Sequence, residues 1–120
     1  MKANYITSDF ALPSCIAFPR FLLGMNIRLI SKEVYAILLD MLNDQRNARV
    51  DEQGRCYLSF TNNTIAQLID RTPSTVGHSL IDLERAGLIE RRLIGRNLPY
   101  HIYVKLPKGE IKQKEYMVYV

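Results

Sequence analysis

The sequence predicts an α+β domain, and three observations predict it. Apolar residues recur at helical spacing in three segments: VYAILLDML, NNTIAQLID and STVGHSLIDLERA. Between the first and second stands VDEQGRCYLSF, whose Gln53-Gly54 marks the turn of a hairpin. After the third, LIERRLI and YHIYVKL read as two strands joined by Gly95-Arg96-Asn97-Leu98-Pro99. At 120 residues and 48% hydrophobic content the chain suffices for one core and is too short for two.

The elements follow in order. Residues 1 to 30 are irregular, with AFPRFLLGM a short strand bounded by Pro19 and Gly24. Ser31 is the expected N-cap of a first helix, which buries Val34, Leu38, Met41 and Leu42, with Tyr35 and Leu39 widening the stripe. That helix fades in NDQRNAR. The hairpin's second strand then alternates Cys56, Leu58 and Phe60, expected inside, against Arg55, Tyr57 and Ser59. Thr61 caps a short second helix whose Ile65, Leu68 and Ile69 are expected to face inward. Asp70-Arg71-Thr72 forms a tight turn. Thr72 caps the third helix, Pro73 takes its first position, and Gly87 ends it. The expected boundaries are a domain over 1–106 and a linker or C-terminal extension over 107–120, where EYMVYV is an alternative extra strand.

Several function classes are excluded by what the chain lacks. No apolar run approaches the ~20 residues that span a bilayer, and MKANYITSDF carries no signal-peptide core. Cys15 and Cys56 have no CxxC spacing and read as reduced core thiols of a cytoplasmic protein, a disulfide being the weaker option. There is no phosphate-binding loop and no dinucleotide fingerprint. His78 and His101 stand apart from any second ligand, so neither a metal nor another cofactor is expected. His78, Ser79 and Asp82 fall within two turns of one helix without an oxyanion site, which dismisses a hydrolytic triad. The seven tyrosines lack the histidine cluster that a DNA-nicking nucleophile needs. The chain does not read as an enzyme.

Charge points to a partner instead. The net charge is +4 and the pI is near 9.2. From Arg71 to Lys105 six basic residues oppose Asp82, Glu84 and Glu90, whereas Ser31 to Asp70 holds four basic against six acidic. Two short helices joined tightly and followed by a two-stranded ribbon make a helix-turn-helix with a wing, here with a β-hairpin inserted after the first helix. A helix pressed into the major groove favours short hydroxyls, free N–H groups at its start and close backbone approach. That accounts for Ser74, Thr75, Gly77 and His78 opposite the Val76–Leu80–Leu83 stripe, although capping by the hydroxyls and packing of Gly77 on the second helix are open alternatives.

The expected DNA contacts are Arg71, Thr72, Ser74, Thr75, Gly77, His78, Ser79 and Arg85 from the helix-turn-helix, and Arg91, Arg92, Arg96 and Asn97 from the wing. Arg91 and Arg92 point to opposite sides of one strand, so at most one of them reaches DNA. Asp82, set among the outward residues, is expected to repel phosphate and mark where close contact ends. Arg96 at the turn suits the minor groove, with Asn97 in support.

The order VDEQGRCYLSFTNNTIAQLI, STVGHSLIDLERAGLIERR, NLPYHIYVK, preceded by FPRFLL and LISKEVYAILLDML, resembles plasmid replication initiators of the RepA N-terminal-domain family. The likeness covers roughly Phe18 to Leu106. It implies a winged helix binding double-stranded DNA at the repeats of a plasmid replication origin. It also implies a C-terminal domain, absent from this chain, that engages the host replication machinery, so the chain is an excised half or a shortened relative. A winged-helix transcriptional regulator using the same surface is the alternative, and a winged helix serving only protein contact a third. A homodimer on DNA is expected, through FPRFLL or through the first-helix face bearing Tyr35 and Leu39, unless these residues complete the monomer core.

Overall fold

A computed structural model describes residues 3–107 except residue 45. The expected linker or strand after Pro107 lies outside the described residues. The elements are α1 (Leu29–Asn43), β1 (Arg49–Val50), β2 (Cys56–Ser59), α2 (Asn62–Ile69), α3 (Pro73–Arg85), β3 (Ile89–Arg92) and β4 (His101–Val104). All strand pairs are antiparallel, in the order β1-β2-β4-β3. The inserted hairpin and the wing are therefore one sheet, because Leu58 on β2 pairs with Ile102 on β4.

The local signals work as their chemistry dictates. Thr61 and Thr72 accept hydrogen bonds from the Thr64 and Thr75 amides at 3.3 and 3.2 Å, which starts α2 and α3. Asp70, at φ 54°, turns the chain out of α2. Gly87, at φ 76°, ends α3 while Leu88 N–H donates to the Leu83 carbonyl at 2.9 Å. At the hairpin Gly54 has φ 79°, a left-handed turn that glycine enters without strain.

Helices and sheet close over a core of Leu22, Val34, Tyr35, Leu38, Leu58, Ile65, Val76, Leu80, Leu83, Leu88, Ile89 and Ile102. Tyr35 is fully buried, meets Phe21 edge-on with centroids 5.6 Å apart, and donates its hydroxyl to the Lys105 carbonyl at 2.8 Å. Burial pushes its phenol pKa up to about 12. It ties α1 to the end of β4 and is no part of a free surface for pairing, contrary to one of the two expected faces.

Five local expectations are corrected. FPRFLL is not a strand: Arg20–Gly24 forms a 3-10 turn that drops Leu22 into the core, and the segment pairs with none of the four strands. Ser31 is not a cap, because α1 begins at Leu29 with Arg28 as N-cap, and Ser31 is fully buried inside the first turn. Leu68 is exposed, because Ala66 rather than Leu68 flanks the Ile65–Ile69 line on α2. Phe60 is only partly buried. Both cysteines are exposed and free, Cys15 in the N-terminal arm and Cys56 at the hairpin end of β2, beyond the cover of the helices. Among the described residues no helix is long and apolar enough to cross a membrane, and no cluster of metal-ligating side chains occurs.

Candidate nucleic-acid interface

Three turns of α3 define an outward stripe. Ser74, His78, Ile81 and Arg85 are all exposed, at successive spacings of four, three and four residues. Their common face looks away from the buried Val76, Leu80 and Leu83. Its N-terminal end holds Thr72 and Thr75, whose hydroxyls lie 3.0 Å apart within the cap. The Thr75 hydroxyl is thus partly spoken for by capping. Arg71 is exposed in the turn just before α3.

Sequence reasoning missed Ile81 on this stripe. Three residues after His78, it satisfies the same helical spacing, and its type disguised it as core. An exposed aliphatic side chain there is suited to a thymine methyl group.

Asp82 is absent from the stripe. Its carboxylate accepts hydrogen bonds from Arg28 Nε and the Ser31 hydroxyl, both at 2.7 Å. The Arg28 bond first, and then the Ser31 bond, hold its pKa below the usual carboxylate range. The expected repulsive acid is a strut between α1 and α3, neutralised by Arg28. The α3 face therefore carries no unpaired acid among the described residues.

Ser79 is not on the interface either. It is fully buried between Val76 and Leu83, and its Oγ has no hydrogen-bond partner among the described residues. Gly77 sits at the α2 crossing, where a Cβ would lie 3.4 Å from the Asn62 side-chain amide, an ordinary contact. Packing alone does not demand a glycine there.

The wing divides its arginines. Partners on adjacent strands share a face, so Leu58, Ile102 and Arg91 point toward the helices, and Ser59, His101 and Arg92 point away. Arg91 donates to Glu84 at 2.6 and 3.0 Å, with its guanidinium 5.1 Å from the Tyr100 ring centre. Arg92 pairs with Glu90 at 2.6 Å and lies over Tyr103 at 4.6 Å. Both make ion pairs within the protein, where at most one was expected to reach DNA. Arg96 and Asn97 stay exposed at the tip, with Asn97 in the left-handed region at φ 60°. In the helix-turn-helix and at the wing tip, Arg71, Arg85 and Arg96 are exposed and none is within ion-pair distance of a carboxylate among the described residues, although Arg85 interacts electrostatically with Asp82.

The outer sheet face is bound up in itself. Tyr57 stacks on His101 at 4.2 Å, and Tyr103 donates to Asp51 at 3.0 Å. Asp51 also accepts from the Gln53 and Arg55 amides at 2.9 Å. Its pKa is drawn down to about 2, chiefly by the Arg55 amide.

Comparison with known proteins agrees with this architecture. Two solved structures share it. One, described as "N-Terminal domain of DNA binding protein", has a TM-score of 0.69 and 24% identity, over 88% of this chain and 86% of that one. The other, described as "Structure of Rep-DNA complex", has a TM-score of 0.70 and 24% identity, over 92% of this chain and 88% of that one. No curated protein matches the chain. The family model described as the N-terminus of replication initiator protein A (RepA) matches residues 16–117. That match spans the core, α3 and the wing alike, and the chain belongs to the RepA N-terminus family of replication initiators.

Proposed function

We propose that this domain binds double-stranded DNA sequence-selectively at the repeats of a plasmid replication origin, with α3 in the major groove and the wing tip at the minor groove. The observation that carries the reading is the acid-free stripe Ser74–His78–Ile81–Arg85, flanked by the unpaired Arg71 and Arg96. Family membership and the likeness to a structure described as a Rep–DNA complex support it. We read the domain as acting by binding; of the three residues that invited a triad, Ser79 is buried and Asp82 is engaged by Arg28 and Ser31. Two copies are expected to pair on adjacent repeats. The N-terminal arm is the surface available for that, since Tyr5, Ile6, Phe10 and Leu12 are all exposed.

Selection of bound duplexes from a random pool tests the reading. Enrichment of one repeated motif is expected. Retention of duplexes without any common motif would refute sequence-selective binding.

A further inference from the structure

The tip of the wing is apolar, and folding does not explain it. Leu93 is 67% exposed, Ile94 48% and Leu98 54%. None contributes to the core cluster. From Leu93 to Val104 the one fully charged side chain is Arg96, set between Ile94 and Leu98 at the point of the turn. Leu98 folds back over Gly95, so closely that a Cβ on residue 95 would come within 2.7 Å of Leu98 Cδ1. The glycine thus lets the leucine lie flat on the ribbon end beside Arg96.

A ribbon end of this kind is too small to be a protein interface, which needs about 1,000 Å² in total. One cation between two aliphatic side chains suits the minor groove, where the rim is anionic and the base steps inside are apolar. The ribbon is also aimed: Glu84 on α3 holds Arg91 on β3, and Arg91 braces Tyr100 just before β4.

We propose that the wing tip is a wedge, in which Arg96 enters the minor groove and Leu98, with Ile94, inserts at a base step, unstacking it and bending the duplex. This rests on the DNA-binding reading above. The wing would then distort the DNA as well as anchor the domain.

The test uses the whole chain and a duplex bearing the selected motif, with 2-aminopurine placed at successive steps under the wing and dyes at both ends. The expected result is a several-fold rise in 2-aminopurine emission at one step, together with a shortened end-to-end distance. Ile94→Ser/Leu98→Ser, checked for native folding by circular dichroism, is expected to bind within about tenfold of the parent and to lose both signals. Leu98→Ser alone, the milder change, is expected to lose most of the emission. Binding by the parent without unstacking or bending overturns the wedge and leaves the DNA reading intact. So does a double variant that keeps both signals, or one that loses only paired binding on two repeats, which would make the tip a protein contact. Absence of binding to any duplex overturns both.

Discussion

Arg91 on β3 and Glu84 on the last turn of α3 are joined at 2.6 Å, the Arg91 side chain being only 18% exposed. The wing's position relative to the outward face of α3 is set by this pair, seven residues apart in sequence. An arginine that looks like a DNA contact in the sequence is thereby a positioning residue. Removing it should loosen the wing, not delete a phosphate contact.

Arg91→Ala is accordingly expected to lower stability by about 1–2 kcal/mol, because Glu84 loses a partly buried partner. Glu84→Gln should weaken DNA binding in the same sense. Salt titrations distinguish the roles. The log–log slope should stay near the parent value for Arg91→Ala, whereas a slope lower by about one would mark Arg91 as a phosphate contact.

Ser79→Ala should stabilise the domain. The Ser79 hydroxyl is buried without a hydrogen bond, and leaving such a group unsatisfied costs about 1–3 kcal/mol, part of which the alanine recovers. Thermal unfolding should show a higher midpoint, and cognate affinity should be unchanged. A loss of affinity at unchanged stability would place Ser79 on the DNA after all.

Gly77→Ala separates helix propensity from DNA approach. Its methyl group meets Asn62 at an ordinary distance, so α3 should gain about 0.5–1 kcal/mol. Cognate affinity is nonetheless expected to fall, since the added methyl group stands between the helix backbone and the duplex. A variant that is both less stable and equally tight would show that the glycine serves the α2 crossing.

The hairpin carries a pH signature. The Asp51 carboxyl is held down to about 2 in the folded domain, against about 4 unfolded. A depressed carboxylate pKa contributes stability in full above the unfolded value, and that contribution disappears as pH falls from about 4 to about 2. The thermal midpoint should drop across that window in the parent. In Asp51→Asn, which cannot ionise, this part of the drop should vanish, as parallel melts at pH 5, 4, 3 and 2 would show.

Much of this was legible from the sequence, because local chemistry decided it. Thr72, Pro73 and Gly87 marked both ends of α3, and Val76, Leu80 and Leu83 marked its buried side. What stayed hidden depended on partners far along the chain. Asp82 reads as an outward acid until Arg28 and Ser31, more than fifty residues earlier, are seen to claim it. Cys56 alternates correctly with Leu58, yet the helices do not extend over it. FPRFLL has strand-like composition, but its Leu22 enters the core from a 3-10 turn. Ile81 was concealed by its type, although its spacing from His78 was sufficient to place it.

The central claim is that α3 reads bases while the wing tip anchors the domain, and paired affinities on cognate and random duplex test it most directly. His78→Ala should cost about 1–3 kcal/mol on the cognate duplex and little on random sequence. Arg96→Ala should weaken both by similar factors and reduce the salt slope by about one, from a parent value near −3 set by Arg71, Arg85 and Arg96. If His78→Ala and Arg96→Ala both leave cognate binding intact, the docking of α3 and wing described above is wrong.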